Sequence, residues 1–317
     1  MEKIYIEEST LAKESLRSSI LYHMKTAYIV TKSDIKTTVL PATTFALVNT
    51  ISGPLLTTAP TPSPIDILLR LPKAILWAWM NLWLFNLANQ RLPDSILEDS
   101  INKPWRAIPS GRLTATQARH LLLISIPIVL AASWLLGGRD ECIAIMVLTW
   151  IYNDLGAGDE NFLVRHFLNA LGFAAFGAGA TQVACGFPNY TLNSTAYQWL
   201  GIVVLAITCT IQFQDMEDQP GDRLRGRKTL PIIFGEERTR WWNAFSILGI
   251  SLVACLFWQV ASIGCLVPCA LSMVIAGRTL MLHGVGPDRQ TFKLWCLWLI
   301  TLYLLPLAKC HEMSPEL

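Results

Sequence analysis

Asp215, Asp218 and Asp222 stand at i, i+3 and i+7, just after the apolar run Leu-Ala-Ile-Thr-Cys-Thr-Ile-Gln-Phe. That spacing puts three carboxylates on one face of a helix over two turns. Like charges this close repel, and a bound cation removes the repulsion. Oxygen ligands with no Cys or His beside them suit a hard ion such as Mg²⁺, which completes its shell with water and substrate phosphates. The basic run Arg223, Arg225, Arg227 and Lys228 follows, then Thr229-Leu230-Pro231. Arg225 and Lys228 are the expected phosphate contacts. The chemistry indicated is metal-assisted handling of a diphosphate where a membrane helix meets water.

A second cluster lies upstream. Asn86, Gln90, Asp94 and Glu98 recur every four residues, with Pro93 expected to bend the helix that aligns them. Lys103 and Arg106 follow. Two acid clusters on one side of a membrane can clamp one diphosphate between Mg²⁺ ions. The expected ligands of this second ion are Asn89 or Gln90, Asp94 and Glu98, with Asp99 the competing choice; the register stays open. A third region runs Tyr152-Asn153-Asp154-Leu-Gly-Ala-Gly-Asp159-Glu160-Asn161, then Arg165-His166 and Asn169. Arg165 is placed either to reach the diphosphate or to anchor a helix start. His166 is expected to pack rather than to act as a base.

The elements that hold these groups are apolar. The chain has 317 residues, 52% hydrophobic and 15% charged, with mean hydropathy +0.41. Those values exclude an ordinary soluble domain of this size. The formal net charge is +2, and with no nucleic-acid motif no such partner is expected. The eight Cys are scattered through apolar runs without a C-x-x-C pair, so they are expected as small buried hydrophobes. No cleavable signal peptide is expected, because charged residues precede the first apolar run.

Apolar runs of bilayer length predict nine spans, near 38–58, 66–90, 116–137, 140–157, 162–184, 196–218, 238–259, 262–282 and 291–309. Lys and Arg gather in the N-terminal region and in the loops after spans 2 and 6, which assigns those to the cytosol. The sequons at Asn189 and Asn193 then fall on the lumenal side. The division expected is a polar cytosolic extension at 1–36 with one amphipathic helix near 11–30, a transmembrane catalytic unit at 37–310, and a tail at 311–317. The fold class is all-α: about nine transmembrane helices around a central apolar cavity, with cytosolic cap loops.

These motifs resemble the UbiA superfamily of intramembrane prenyltransferases over about residues 38–310. The second family motif, D-x-x-D-x-x-x-D-x-x-x-G-x-x-T-L-P, is present at Asp215, Asp218, Asp222, Gly226, Thr229, Leu230 and Pro231. The first matches at its end, Arg106-Ala-Ile-Pro-Ser-Gly, while Gln90 stands where the family usually has Asp and the spacing to Asp94 is lengthened. The Asn-Asp-Leu-Gly-x-Gly-Asp form of the third region resembles the fungal UbiA-type sesquiterpene cyclases of the bergamotene-forming kind. The resemblance implies Mg²⁺ and an isoprenyl diphosphate at the cytosolic mouth, with Arg106, Arg165, Arg225, Lys228 and Tyr152 around it. It further implies an endoplasmic-reticulum membrane enzyme of terpenoid secondary metabolism that ionises farnesyl diphosphate and closes a ring. The alternative is a prenyltransferase that joins the chain to an aromatic acceptor. Cation-tolerant walls would come from Trp77, Trp79, Trp83, Tyr152, Phe173, Phe176, Phe213 and Trp298 by cation–π attraction.

Overall fold

The computed structural model describes residues 19–260 and 262–313. The first part of the N-terminal helix expected near 11–30 lies outside the described residues; residues 19–31 are helical (α1). A five-residue π-helical turn, Ile35–Val39, leads into α2 (Leu40–Ile51). Then come α3 (Pro64–Gln90), α4 (Pro93–Asn102), α5 (Ala115–Leu136), α6 (Arg139–Asn153), α7 (Ala157–Glu160) and α8 (Phe162–Cys185). They are followed by α9 (Ser194–Thr210), α10 (Gln212–Arg225), α11 (Leu230–Ile233), α12 (Glu236–Trp258), α13 (Ser262–Met281), α14 (Val285–Tyr303) and α15 (Leu305–Met313). Among the described residues there is no strand, and Thr57 and Leu192 make one isolated bridge.

Local chemistry starts these helices where they start. Ser63 and Thr114 build capping boxes with Asp66 and Gln117, each side chain closing on the other's backbone N–H. Asn161 and Asn193 accept from the backbone of Val164 and Ala196 to open α8 and α9.

Six helices or helix pairs among the described residues are long and apolar enough to cross a membrane. The other three expected spans are shorter or more polar. Helix α2 has 12 residues and α6 has 15, while α3 has 27 but carries Asp66, Arg70 and Lys73 in its first half. The outer surface is apolar: Leu135, Leu256 and Ile263 are 85%, 75% and 86% exposed. Water would penalise such a surface and lipid does not.

Helix α8 is the hub, packed against α2, α3, α6 and α9. Gly179 on it allows that closeness, since a Cβ there would lie 2.1 Å from the Trp77 ring of α3. Two apolar cores flank α8. One gathers Trp77, Phe176 and their neighbours on α2, α3, α6 and α8. The other gathers Trp199, Trp258, Trp295 and Trp298 on α9, α12 and α14. Helix α10 leaves this body and packs against α4 and α14, which brings both acid clusters together at one end.

Candidate functional site

Asp215, Asp218 and Asp222 lie on α10 and are all buried. Gly226, in the left-handed conformation at φ 79°, closes the helix four residues after Asp222. Glu217 points the other way and accepts from Arg289 at 2.7 Å. The helix is pinned to α4 by Asn102, whose side chain donates to the Asp218 carbonyl at 2.9 Å and accepts from the Gly221 N–H at 3.0 Å. A Cβ at Gly221 would sit 2.4 Å from that amide, so this joint requires glycine.

Each carboxylate meets cations. Asp215 accepts from Arg165 at 2.9 Å, with His166 Nε2 at 3.3 Å from its other oxygen. Arg165 also donates to the Tyr152 hydroxyl at 2.6 Å. Asp218 pairs with Lys103 at 3.1 Å. Asp222 meets Arg227 at 3.4 Å through Oδ1, while its Oδ2 is buried without a partner among the described residues. Across from α10, Glu98 accepts from Arg225 and Arg227, both at 3.0 Å. Asp159 on α7 holds the same two arginines at 2.7 and 3.0 Å. Burial alone would raise its pKa, but the Arg225 hydrogen bond and both guanidinium charges hold the Asp159 carboxyl below the ordinary value.

A cavity of about 130 Å³ opens beside this network. A buried water needs about 10–15 Å³, so there is space for a ligand rather than a lone solvent molecule. Glu98, Lys103, Arg106, Asp218 and Arg227 line its charged end, and Phe85, Ile145, Leu148, Tyr152, Phe173 and Phe176 line its apolar part.

Not every expected residue is at this cavity. Asn89 lines it and donates to Asn153 at 2.8 Å. Gln90 instead donates to the Val30 carbonyl at 2.8 Å, and Asp94 is exposed at the first turn of α4. The every-four pattern breaks because Pro93 starts a new helix, so its first and second halves do not share a face. Asp99 is buried and grips Arg106 through both oxygens, at 2.8 and 2.9 Å. Burial pushes the Asp99 carboxyl up despite that partner. Lys228 is exposed, and its neighbour Arg227 lines the cavity in its place.

Of the expected aromatic walls, Tyr152, Phe173 and Phe176 line the cavity. Trp79, Trp83 and Trp298 instead spend their indole N–H groups on Thr31, Ser125 and Ser251. Trp77 and Phe213 are packed into the two cores.

The donor set near Asp222 is all oxygen, and an orphaned carboxylate oxygen invites a hard cation. Among the described residues no three of these acids close into one ligand set, since Arg and Lys hold them apart. An ion here would therefore take part of its shell from water or a phosphate, as Mg²⁺ does. On that basis the residues fit such an ion.

Residues 46–297 match the UbiA prenyltransferase family. The chain belongs to that family. The family and the apolar helices make it an integral membrane enzyme. It is 27% identical to the somaliensene A/B synthase of Streptomyces somaliensis, over 95% of this chain and 96% of the relative. It is 26% identical to the fumagillin beta-trans-bergamotene synthase of Aspergillus fumigatus, over 90% and 92%. Its fold superposes on a UbiA homolog from Archaeoglobus fulgidus, solved with GPP and Mg²⁺, with TM-score 0.57 and 12% identity over 88% of this chain and 99% of that one.

Arg227, Phe85 and Asp34 are among the residues of this UbiA-family site that belong to no expected ligand set. Arg227 sits in a basic run where any member could have been chosen. Phe85 lies one turn before Asn89, a signal that α3 periodicity does contain. Asp34, in the segment read as a polar extension, lines the cavity and bonds Arg106 at 3.3 Å; nothing local marks it.

Proposed function

We propose that this chain is a Mg²⁺-dependent membrane terpene cyclase that ionises farnesyl diphosphate and closes it to a sesquiterpene hydrocarbon. The observation that carries the reading is one cavity with two ends. Carboxylates and arginines from α4, α10 and the following loop crowd one end, and aromatic and aliphatic side chains line the other. Two relatives similar over nine-tenths or more of the chain are named as a somaliensene A/B synthase and a beta-trans-bergamotene synthase.

Asp218 and Asp222 on α10, with Glu98 and Asn89 opposite, would hold the ion. Bound there, Mg²⁺ would neutralise the diphosphate and make it a better leaving group. Arg106, Arg165, Arg225 and Arg227 orient the diphosphate and receive the charge that grows on it as the carbon–oxygen bond breaks and its electron pair leaves with oxygen. Phe85, Phe173, Phe176 and Tyr152 present ring faces to the allylic cation, each worth about 1–2 kcal/mol when desolvated. A double bond of the same chain attacks the cation, a carbon–carbon bond forms, and a proton is lost. Among the described residues the apolar lining offers no carboxylate or imidazole, so the departing diphosphate is the base within reach. The Lys/Arg asymmetry of its loops favours this mouth in the cytosol, and the resemblance favours an endoplasmic-reticulum membrane.

Microsomes carrying the chain, given farnesyl diphosphate and Mg²⁺ without an acceptor, should release a cyclic C15 hydrocarbon into the headspace. Products that appear only with an added aromatic acid would assign the chain to acceptor prenylation instead.

A further inference from the structure

A second space, about 420 Å³, lies between α3, α5 and α6 on the far side of the cavity wall. Leu84, Leu122, Leu123, Ile126 and Met146 give it an apolar stretch. Leu123, Ile126 and Trp150 are exposed, so the trough faces lipid. Arg91, Arg119 and Asp154 gather along it beyond the apolar stretch. Arg91 is paired with Asp154, yet its Nε is buried without a partner among the described residues. Arg119 is exposed and makes no ion pair among the described residues. The group therefore holds two cations against one carboxylate.

Ile145 and Thr149 of α6 line both this trough and the reaction cavity. Two cross-links close α3 onto α6 beside them: Asn89 to Asn153 at 2.8 Å, and, at the adjoining positions, Arg91 to Asp154. The wall between the two spaces is thus one helix thick and fastened by polar contacts that a competing anion can replace.

We propose that the trough is a docking site where an isoprenyl diphosphate is taken from the bilayer before it enters the cavity. This rests on the reading that such a diphosphate is the substrate. The tail lies along Leu122, Leu123 and Ile126, and the diphosphate takes the surplus charge of Arg91 and Arg119. Several negative charges on one head and a single hydrocarbon tail match two cations and one apolar trough. A two-tailed phospholipid with one phosphate matches them less well. An incoming diphosphate displaces Asp154 from Arg91 and so loosens the cross-link beside the shared wall.

The test uses the purified full chain in phosphatidylcholine nanodiscs, with kcat and KM for farnesyl diphosphate measured by diphosphate release. Arg119→Gln should raise KM about tenfold with kcat unchanged, the effect of losing roughly 1.4 kcal/mol of charge-assisted contact. Arg119→Lys should restore most of it. Ile126→Trp, which fills the trough, should show the same split. Unchanged KM in Arg119→Gln and Ile126→Trp overturns the inference, as does a fall in kcat alone. An effect that appears only with phosphatidylserine present assigns the trough to a membrane lipid and also overturns it. A wild-type chain that releases no diphosphate overturns the proposed function itself.

Discussion

Arg227 and Lys228 are sequence neighbours with opposite surroundings, and exchanging each for glutamine separates them. The Arg227 side chain is 5% exposed and reaches Glu98 at 3.0 Å, Asp159 at 3.0 Å and Asp222 at 3.4 Å. Without it, Glu98 and Asp159 keep Arg225. Asp222 keeps no partner among those described, since its other oxygen already has none. One uncompensated buried carboxylate costs about 3–5 kcal/mol, and the lower end applies because a bound cation would compensate it. In the proposed reaction the guanidinium would be a preorganised donor to the leaving diphosphate. Loss of one such donor costs about 10²–10³ in kcat, roughly 2.7–4 kcal/mol. Lys228 is exposed, and an exposed charge is worth about 0–1 kcal/mol. Arg227→Gln should therefore lower kcat by about two to three orders of magnitude, while Lys228→Gln should stay within about fivefold of wild type. Arg227→Lys should fall between, because it keeps the charge and loses the fork. Diphosphate release in nanodiscs measures the rates, and thermal unfolding by tryptophan fluorescence shows that each variant is folded. A folded Arg227→Gln within threefold of wild type, beside a Lys228→Gln that has lost most activity, would refute this assignment.

Further outcomes follow from the same geometry. Asp218→Ala and Asp222→Ala should each cut turnover by about a hundredfold or more while the protein still accumulates in membranes; immunoblots beside rate assays check this. Asp94→Ala should leave the Mg²⁺ dependence of the rate unchanged, because Asp94 is exposed. Glu98→Ala should weaken that dependence, and Asp99→Ala should lower the rate by leaving Arg106 held only by Ser33 and Asp34 among the described residues. The Asp159 carboxyl, held below its ordinary value, stabilises the fold fully above the unfolded value of about 3.9 and loses that contribution as the pH falls from there through its lowered folded-state value. Asp159→Asn should accordingly melt lower than wild type at pH 7, and the difference should shrink as acid titrates the lowered carboxyl, as pH-resolved unfolding would show. Chelation with EDTA should abolish turnover and Mg²⁺ should restore it.

The acid spacing on α10 was legible because a single element carries it. The i, i+3, i+7 spacing of Asp215, Asp218 and Asp222 survives because α10 is one helix from Gln212 to Arg225. Arg165 and Tyr152 were recognisable by type and meet as a hydrogen-bonded pair. The first cluster misled because Pro93 breaks the helix between Gln90 and Asp94, so a period that looks continuous spans two helices. Arg227 lies beyond the Gly226 cap, where helical periodicity no longer says which side chain turns inward. Asp34 reaches Arg106 across 72 positions of chain, and no local pattern records such a contact. Of the expected aromatic walls Tyr152, Phe173 and Phe176 reach the cavity, while Trp77, Trp79 and Trp83 share a helix with Phe85 of which only the C-terminal turns line it.

The measurement that bears most directly on the central claim is the ratio of hydrocarbon to diphosphate. Purified chain in nanodiscs would receive farnesyl diphosphate and Mg²⁺ with no acceptor, and both products would be quantified. Cyclisation predicts a ratio near one, with a cyclic sesquiterpene as the hydrocarbon. Diphosphate released with farnesol and nerolidol alone, or released only when an aromatic acid is added and then prenylated, would contradict it.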